Sequence, residues 1–479
     1  MTATTGQTYD GAASWGASRT MNALEAFMWR AEVDPRLRST ILALEVLDQA
    51  PDWDRFVDAH DWATRMVPRF RQRVVDGPLG LGQPEWIVDP EFDLSFHVRR
   101  IGVAEGAGWS SVLESCQQIA MAAFDKARSP WEAVLFEGLP DGKAAYALKM
   151  HHSATDGIGG IQLLAGLHSR QRDSDPGKPQ PASPAPELPS LGKALVRQAG
   201  RDGRAIGEAL KGGGGLLRAM RRPDVAARDA ARFGASLRRV LSDPDAEPSP
   251  LMRGRSLSWR FQALDVAFAD LRAAGKAAGG SLNDAFLAAL LGGFRIYHEE
   301  MGTPIKKMPV AIPISVRREG DAGGGNKFAG ARLALPVDVV DPVKRMAMIR
   351  ASVLAARGEA ALDALAFVAP VLARLPGPVS AQLAGGLTKS NDLQASNVPG
   401  IREDVYFAGA KIERMYPFAP LPGCAAMIAL VTHGDTCCVG TNLDPAAITE
   451  PDRFARCLAD GFAEVLALHP GAAAPVPRV

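Results

Sequence analysis

The sequence predicts an α/β protein built from two domains. Some segments alternate apolar and polar residues, which is typical of strands. Between them lie segments in which apolar residues recur at helical spacing. The chain has 479 residues, which is more than one hydrophobic core usually serves. A proline-rich stretch and then a basic stretch separate two regions of this alternation. We therefore predict an N-terminal domain over residues 1–171, a connecting segment over 172–255 and a C-terminal domain over 256–479.

The N-terminal domain begins with about ten small and polar residues that are predicted to lack structure. Apolar spacing then predicts the order helix, strand, helix, strand, helix, strand, strand, helix. These elements cover residues 22–30, 38–47, 52–66, 94–101, 109–124, 133–139, 143–149 and 158–167. Such an order is typical of one α/β sandwich.

The last strand and the last helix of this domain are joined by the sequence HHSATDG at residues 151–157. Histidine suits a general base, because its ordinary pKa lies near neutral pH. Neighbouring strand residues point to opposite faces, so His151 and His152 cannot both face one substrate. We predict that His152, nearer the turn, acts as the base and that His151 supports the turn. For a bare His-His pair, a buried histidine pair beside a simple Asx-type turn would be the alternative.

Two further residues of this segment have predicted roles. Asp156 lies in a Thr-Asp-Gly turn, where its carboxylate can bond the local backbone or meet an arginine from elsewhere. Gly157 lacks a side chain where the helix begins, which lets another backbone or a ligand come close. We expect Asp156 to hold the loop rather than to touch substrate.

The connecting segment changes composition along its length. Residues 172–189 are rich in proline and small polar residues and predict a linker. Residues 190–240 contain 12 Lys and Arg against 4 acidic residues, and their apolar stripe is broken by four glycines at 212–215. Two interpretations stay open. The segment is either a basic helix that lies on an anionic membrane or lipid-droplet surface, or a solvated crossover between the domains.

The C-terminal domain repeats the alternation. Strands are predicted over residues 257–264, 307–316, 329–337, 424–433 and 436–443, and helices over 266–278, 341–357, 362–375 and 452–468, with a further helix starting after Ser281. Ser281 is a candidate N-cap, which places Asn283 and Asp284 in the first helical turn near the positive end of the helix dipole.

Composition excludes several classes of protein. The formal net charge is +1, so a nucleic-acid partner is not indicated. The five cysteines show no metal-ligand spacing and predict buried free thiols in a reducing compartment. The sequence shows no signal-peptide pattern and no apolar run of membrane-spanning length. We predict a cytoplasmic protein whose lipid contact, if any, is peripheral.

HHSATDG fits the HHxxxDG signature of the CoA-dependent acyltransferase superfamily, and residues 22–468 resemble the bacterial wax ester synthase/diacylglycerol acyltransferase family. Asn283-Asp284 resembles the Asn-Asp motif of that family, Gly325-Asn326 its Gly-Asn segment, and residues 396–400 its Ser-Asn-Val-Pro-Gly turn after a strand. Trp131-Glu132 resembles the end of the family's Pro-Leu-Trp-Glu segment, whose first two residues are replaced here by Ser129 and Pro130.

The resemblance implies two similar α/β sandwich domains with a tunnel at their interface. It implies that His152 is the general base, supported by His151 and Asp156, and that Asn283 supports the oxyanion or orients the acceptor. It places Gly157 and Asp284 in structural roles and pairs Asp156 with Arg317, the arginine after an apolar strand. The residues that it implies for the tunnel are Trp131, Asn326, Ser396, Asn397, Pro399 and Gly400.

The function implied is transfer of a fatty acyl group from acyl-CoA, as substrate, to the hydroxyl of diacylglycerol or of a long-chain alcohol. The products would be triacylglycerol or wax ester. No bound cofactor and no metal are implied, and no GxSxG elbow indicates an acylated serine. Three alternatives stay open: a condensation-type enzyme, an O-acyltransferase acting on polyketides or glycolipids, and a non-catalytic protein that only binds acyl chains.

Overall fold

The computed structural model describes residues 15–16, 18–77, 82–173, 175, 177–188, 192, 196–197, 200, 245–315, 328–357, 375–388 and 391–478. Within these ranges the structure is an α/β protein, as predicted. The helices are α1 (Ala23–Ala31), α2 (Trp53–Met66), α3 (Leu94–His97), α4 (Gly108–Met121), α5 (Gly157–Leu167), α6 (Phe268–Ala277), α7 (Leu282–Glu300), α8 (Pro342–Arg357), α9 (Gly377–Thr388) and α10 (Pro451–Leu466).

The strands form two large sheets and one short hairpin. The strands are β1 (Thr40–Leu47), β2 (Gln72–Val75), β3 (Glu85–Val88), β4 (Val98–Gly102), β5 (Trp131–Glu137), β6 (Ala144–His151), β7 (Arg260–Ala267), β8 (Lys307–Ser315), β9 (Phe328–Pro336), β10 (Leu393–Val398), β11 (Tyr406–Phe407), β12 (Ala410–Phe418), β13 (Ala426–His433), β14 (Thr436–Leu443) and β15 (Val476–Arg478). The first sheet has the order β11-β12-β1-β6-β5-β4 and the second β15-β7-β14-β13-β10-β8-β9, while β2 and β3 form the hairpin.

The two sheets face each other across a shared core. Alternate residues of β1, Leu42 and Leu44, turn to this side and pack in one apolar cluster with residues of both sheets. Phe261 of β7 stacks on Phe418 of β12 with ring centroids 4.2 Å apart, which joins one sheet to the other. The opposite side of each sheet packs against helices, α2 and α5 on the first and α6, α7, α8 and α10 on the second. The cavity described below lies between the sheets.

The distribution of strands differs from the predicted division of the chain. β11 and β12 lie in the second half of the sequence but belong to the first sheet. There β12 pairs antiparallel with β1, with Leu42 opposite Phe418. Asp265 of β7 accepts hydrogen bonds from Arg414 (2.8 Å) and Tyr416 (2.6 Å) of β12. The C-terminal half therefore completes the N-terminal sheet, an arrangement that the sequence analysis did not predict.

Some local predictions need correction. The strand predicted over 94–101 begins as the short helix α3, because the Asp93 side chain caps it by accepting the Ser95 N–H at 3.0 Å, and the strand β4 follows. The turn predicted at 396–400 begins inside β10, which pairs in parallel with β13 through Val398. The hairpin of β2 and β3 was not predicted.

Several predicted features fall outside the described residues. They are Arg317, Asn326, the helix over 362–375 and most of the basic segment over 190–240. All five cysteines are buried and unpaired. Over the part of the chain that the structure describes, no helix combines the length and apolar character needed to cross a membrane.

Candidate active site

The histidine pair lies where β6 ends. β6 is buried along its whole length, and its last residue, His151, pairs with Thr40 at the start of β1. The backbone N–H of His152 donates to the carbonyl of Ser39 at 2.7 Å, which extends the strand pairing by one hydrogen bond into the turn. The first sheet thus fixes the peptide of His152, which is the first residue after the end of β6.

His151 is fully buried and makes contacts that support the turn. Its Nδ1 accepts the backbone N–H of Ser153 at 3.0 Å and lies 2.7 Å from Ser153 Oγ. Its Nε2 lies 3.1 Å from Oε1 of Glu32, and the edge of Trp29 packs against its ring. Because Nδ1 accepts an N–H, the ring proton belongs on Nε2, where it faces the carboxylate. His151 therefore holds the turn from inside the protein.

Glu32 connects His151 to the backbone that holds His152. The same Oε1 of Glu32 also accepts the backbone N–H of Ser39 at 2.5 Å, and the Ser39 carbonyl receives the N–H of His152. Burial by itself would raise the pKa of Glu32, but the adjacent His151 ring N–H, the Ser39 N–H and the charge of Arg38 lower it overall. Glu32 is thus held as a carboxylate behind the histidine pair. No pattern in the sequence points to Glu32, since 119 positions separate it from His151 and no motif spacing links them.

His152 lines a cavity of about 380 Å³ between the two sheets. The walls come from β1, β6, β12 and α5 on one side and from β8, β9, β10 and β13 on the other. Most of the wall is apolar; the polar and charged side chains in it are those of His152, Thr155, Asp156, Arg357, Gln394, Ser396 and Asn397. An apolar cavity with a few polar groups beside a histidine suits a ligand that is largely hydrocarbon and reacts at one polar end.

Asp156 caps the helix that follows the histidines. Its Oδ1 accepts the N–H of Gly159 at 2.7 Å, and its own carbonyl accepts the N–H of Gly160 at 2.8 Å. The carboxylate is buried and stabilises the start of α5 through the helix dipole. Asp156 therefore fixes the start of α5 and also lines the cavity. Its pairing with Arg317 stays a prediction.

Gly157 stands where α5 meets the second sheet. A Cβ atom at this position would lie 2.9 Å from Cγ2 of Val398 in β10. The close approach that the missing side chain was predicted to permit is thus with the valine of the Ser-Asn-Val-Pro-Gly segment. A Cβ at Gly400 would lie 2.0 Å from the carbonyl oxygen of Thr432, so this glycine is required by packing against β13.

The predicted tunnel residues divide into two groups. Ser396 and Asn397 line the cavity from β10, whereas Pro399, Gly400 and Trp131 are not among the residues that line it. Trp131 lies in the core of the first domain, where its indole N–H donates to the Phe70 carbonyl at 2.7 Å. For these three positions the tunnel role stays a prediction; the side chain of Trp131 faces the helices, and Pro399-Gly400 follow the end of β10.

Asn283 and Asp284 occupy the first turn of α7, as predicted. The Asp284 carboxylate accepts the Ser281 N–H at 2.8 Å, and Ser281 Oγ accepts the Asp284 N–H at 3.3 Å, which forms a capping box. Asp284 thus caps the start of α7. Asn283 is not among the residues that line the cavity, and its role at the oxyanion stays a prediction.

Among the residues that the structure describes, no three His, Cys, Asp or Glu side chains are arranged to hold a metal ion. His152 supplies an imidazole in the cavity wall.

Solved structures define the class of this fold. The wax ester synthase/diacylglycerol acyltransferase from Marinobacter aquaeolei VT8 aligns with a TM-score of 0.62 and 21% identity, over 94% of this chain and 98% of that chain. The first condensation domain of the calcium-dependent antibiotic synthetase aligns with a TM-score of 0.61 and 18% identity, over 95% and 99%. The chain thus has the fold of the CoA-dependent acyltransferase type.

Sequence comparisons identify the family within this class. The model of the wax ester synthase/diacylglycerol acyltransferase catalytic domain matches residues 19–286, and that of the family's C-terminal domain matches 324–465. A Mycobacterium tuberculosis H37Rv protein with a provisional diacylglycerol O-acyltransferase name is 43% identical over 95% of this chain and 93% of its own. A second protein of that strain, with the same provisional name, is 30% identical over 83% and 86%. The chain belongs to the wax ester synthase/diacylglycerol acyltransferase family, which confirms the resemblance drawn from HHSATDG, and it is an acyltransferase.

Proposed function

We propose that this protein transfers a fatty acyl group from acyl-CoA to the hydroxyl of diacylglycerol or of a long-chain alcohol, with His152 as the general base. The observation that carries the proposal is the position of His152 in the wall of a largely apolar cavity between the sheets. The names of the relatives support the diacylglycerol acceptor, and the name of the Marinobacter enzyme supports both acceptors.

The reaction needs no covalent enzyme intermediate. The imidazole of His152 takes the proton of the acceptor hydroxyl, and the oxygen attacks the thioester carbonyl. The tetrahedral intermediate then expels the CoA thiolate, which receives the proton from the imidazolium. The imidazole of His152 is neutral again at the end, and the products are an ester and free CoA.

The surrounding residues would position the base and the substrates. Glu32, His151 and Ser39 fix the peptide of His152, and Asp156 and Gly157 fix the helix that forms one wall. Ser396 and Asn397 supply polar side chains opposite this wall, where they would orient the thioester or the hydroxyl. The role of Asn283 at the oxyanion rests on the family motif alone.

Acyl-CoA is the proposed donor, and the cavity between the domains is its proposed tunnel. A related starter condensation domain, from rhizomide synthetase, has been solved with C8-CoA; it aligns with a TM-score of 0.57 over 96% of each chain. We further propose that residues 190–240 attach the enzyme to a membrane or lipid-droplet surface through their excess of basic residues. The condensation-type alternative has less support, because the curated relatives carry diacylglycerol acyltransferase names.

The test is an assay of purified protein with radiolabelled palmitoyl-CoA and either diolein or hexadecanol. Formation of labelled triacylglycerol or wax ester, together with stoichiometric release of the CoA thiol, is expected. Labelled acyl-CoA that binds but yields no ester with either acceptor would contradict the proposal and favour a lipid-binding protein. Ester formation only with a glycolipid or polyketide hydroxyl would favour that alternative acceptor.

A further inference from the structure

Helix α8 exposes an apolar surface to solvent. Its inner face is buried against the second domain through Arg345, Met346, Ile349 and Val353. On its outer face the exposed fractions of Val343, Met348 and Leu354 are 40%, 48% and 55%. The helix therefore carries apolar residues on both sides, although only one side has a protein partner among the described residues.

The outer face of α8 has a regular pattern. At about 100° per residue, Val343, Ala347, Ala351 and Leu354 follow one line along the helix. This apolar stripe extends over most of a helix about 24 Å long. Lys344 borders it on one side and Arg350 and Arg357 on the other, all of them exposed, and α8 contains no Asp or Glu. Acidic residues that contact α8 are Asp341, which caps its start, Asp284, 4.0 Å from Arg350, and Glu464, which pairs with Arg345 on the inner face at 2.9 Å.

The long helix α10 of the same domain differs from α8. In α10 the large apolar residues Phe454, Leu458, Phe462 and Val465 are buried, and no large hydrophobic side chain of that helix is exposed. An apolar stripe bordered by Lys and Arg is instead typical of a helix that lies in the interface of a lipid bilayer, with its cations reaching the headgroups. The absence of acidic residues from α8 complements an anionic surface.

The end of α8 reaches the active-site cavity. Arg357, its last residue, lines the cavity together with Pro313 of β8 and Gly330 of β9. A surface bound along the stripe would thus meet the protein near Arg357, an exposed residue that lines the same cavity as His152.

We propose that the outer face of α8 docks on an anionic lipid surface and that a lipid acceptor enters the cavity past Arg357. The docking surface is separate from residues 190–240, which would add charge but lie elsewhere in the sequence. The entry route rests on the proposed function, whereas docking can be measured without turnover.

Two matched double variants test the docking surface. Val343→Gln/Leu354→Gln removes the apolar stripe, and Val379→Gln/Leu383→Gln makes the same two changes on α9, where the exposed fractions are 41% and 43%. Moving one half-exposed Val or Leu from water into lipid contributes about tenfold in binding. Each cation near an anionic surface contributes about fivefold.

The measurement is sedimentation with vesicles of phosphatidylcholine containing one quarter phosphatidylglycerol. We expect the α8 variant to lose at least tenfold in vesicle binding and the α9 variant to bind as the parent does. Lys344→Glu should weaken binding to these vesicles and not to pure phosphatidylcholine. Turnover of a short soluble alcohol should stay unchanged in the α8 variant, which shows that it is folded.

Three results would overturn the proposal. The first is parental vesicle binding by the α8 variant, and the second is an equal loss in the α9 variant, which would indicate general surface hydrophobicity. The third is complete loss of binding on charge reversal within 190–240 with no effect of the α8 variant. If the protein docks through α8 but shows no ester synthesis, the result supports the docking surface and contradicts the proposed function.

Discussion

Replacing Glu32 by Gln should slow catalysis although Glu32 does not line the cavity. In the parent protein, Oε1 of this carboxylate accepts a hydrogen bond from the Ser39 N–H at 2.5 Å and lies 3.1 Å from His151 Nε2. The side-chain amide of Gln can place its one oxygen at this position, but it carries no negative charge, so both contacts become weaker. His151 cannot respond by moving its proton, because its Nδ1 already accepts the Ser153 N–H.

The expected size of the effect follows from the loss of charge. A hydrogen bond to a charged group contributes about 1.5–3 kcal/mol and a neutral one about 0.5–1.5 kcal/mol, so the contact weakens by about 1–2 kcal/mol. A weaker contact lets Ser39 move, and the Ser39 carbonyl holds the N–H of His152 at 2.7 Å. Since each 1.36 kcal/mol of transition-state stabilisation is a factor of ten in rate, kcat should fall by about one order of magnitude. KM for acyl-CoA should change little, because Glu32 is not among the residues that line the cavity.

Glu45→Gln is the matched control. Glu45 is also buried in the first domain, and its Oε1 lies 3.3 Å from Nε2 of His168, but it makes no backbone contact with Ser39 or His152. Both variants should lower the unfolding midpoint, while only Glu32→Gln should lower kcat. Adding Glu32→Gln to a His152→Ala protein should produce little further loss of rate. Equal kcat in the Glu32→Gln and parent proteins, at matched stability loss, would refute the positioning role.

The same residue predicts a dependence of stability on pH. The pKa of Glu32 is lower in the folded protein than in the unfolded chain, so its stabilising contribution is present above the ordinary glutamate pKa of about 4.3. That contribution is lost as the pH falls through the lower folded value. The difference in unfolding free energy between the parent and Glu32→Gln proteins should therefore shrink below about pH 4. A difference that stays constant to lower pH would show that the carboxylate charge does not stabilise the fold.

Three further predictions concern the HHSATDG segment. His152→Ala should lower turnover by about two to four orders of magnitude, while the His151→Ala protein should stay folded and measurably active. Near-parental turnover of the His152→Ala protein in the ester assay would show that His152 is not the base. Asp156→Asn and Arg317→Ala should each lower stability, by about 3–5 kcal/mol if the pair is buried, and additive losses in a double-mutant cycle would show that they do not interact. Gly157→Ala should cost about 1–3 kcal/mol by overpacking, and shortening the β10 valine that it faces to Ala should restore the unfolding midpoint.

Much of the site could be predicted from local sequence. The alternating run before HHSATDG predicts the strand that ends at His151, and the helical spacing after it predicts α5. Capping predicts the start of α7, since Ser281 and Asp284 lie three residues apart and satisfy each other's backbone. These signals hold because the groups involved are neighbours along the chain, so that residue type and spacing alone fix their geometry.

The features that only the tertiary structure decided depend on groups far apart in sequence. Glu32 meets His151 across 119 positions, and β12 pairs with β1 although more than 360 positions separate them. Trp131 follows the family motif in sequence, yet the side of β5 on which it stands directs it into the core. Sequence spacing carries no signal for such contacts, because the pairing of strands and the packing of their faces set them. What the sequence by itself determined was the family, the general-base candidate and the local elements that present it, while the cavity around His152 and the carboxylate behind it required the assembled sheets.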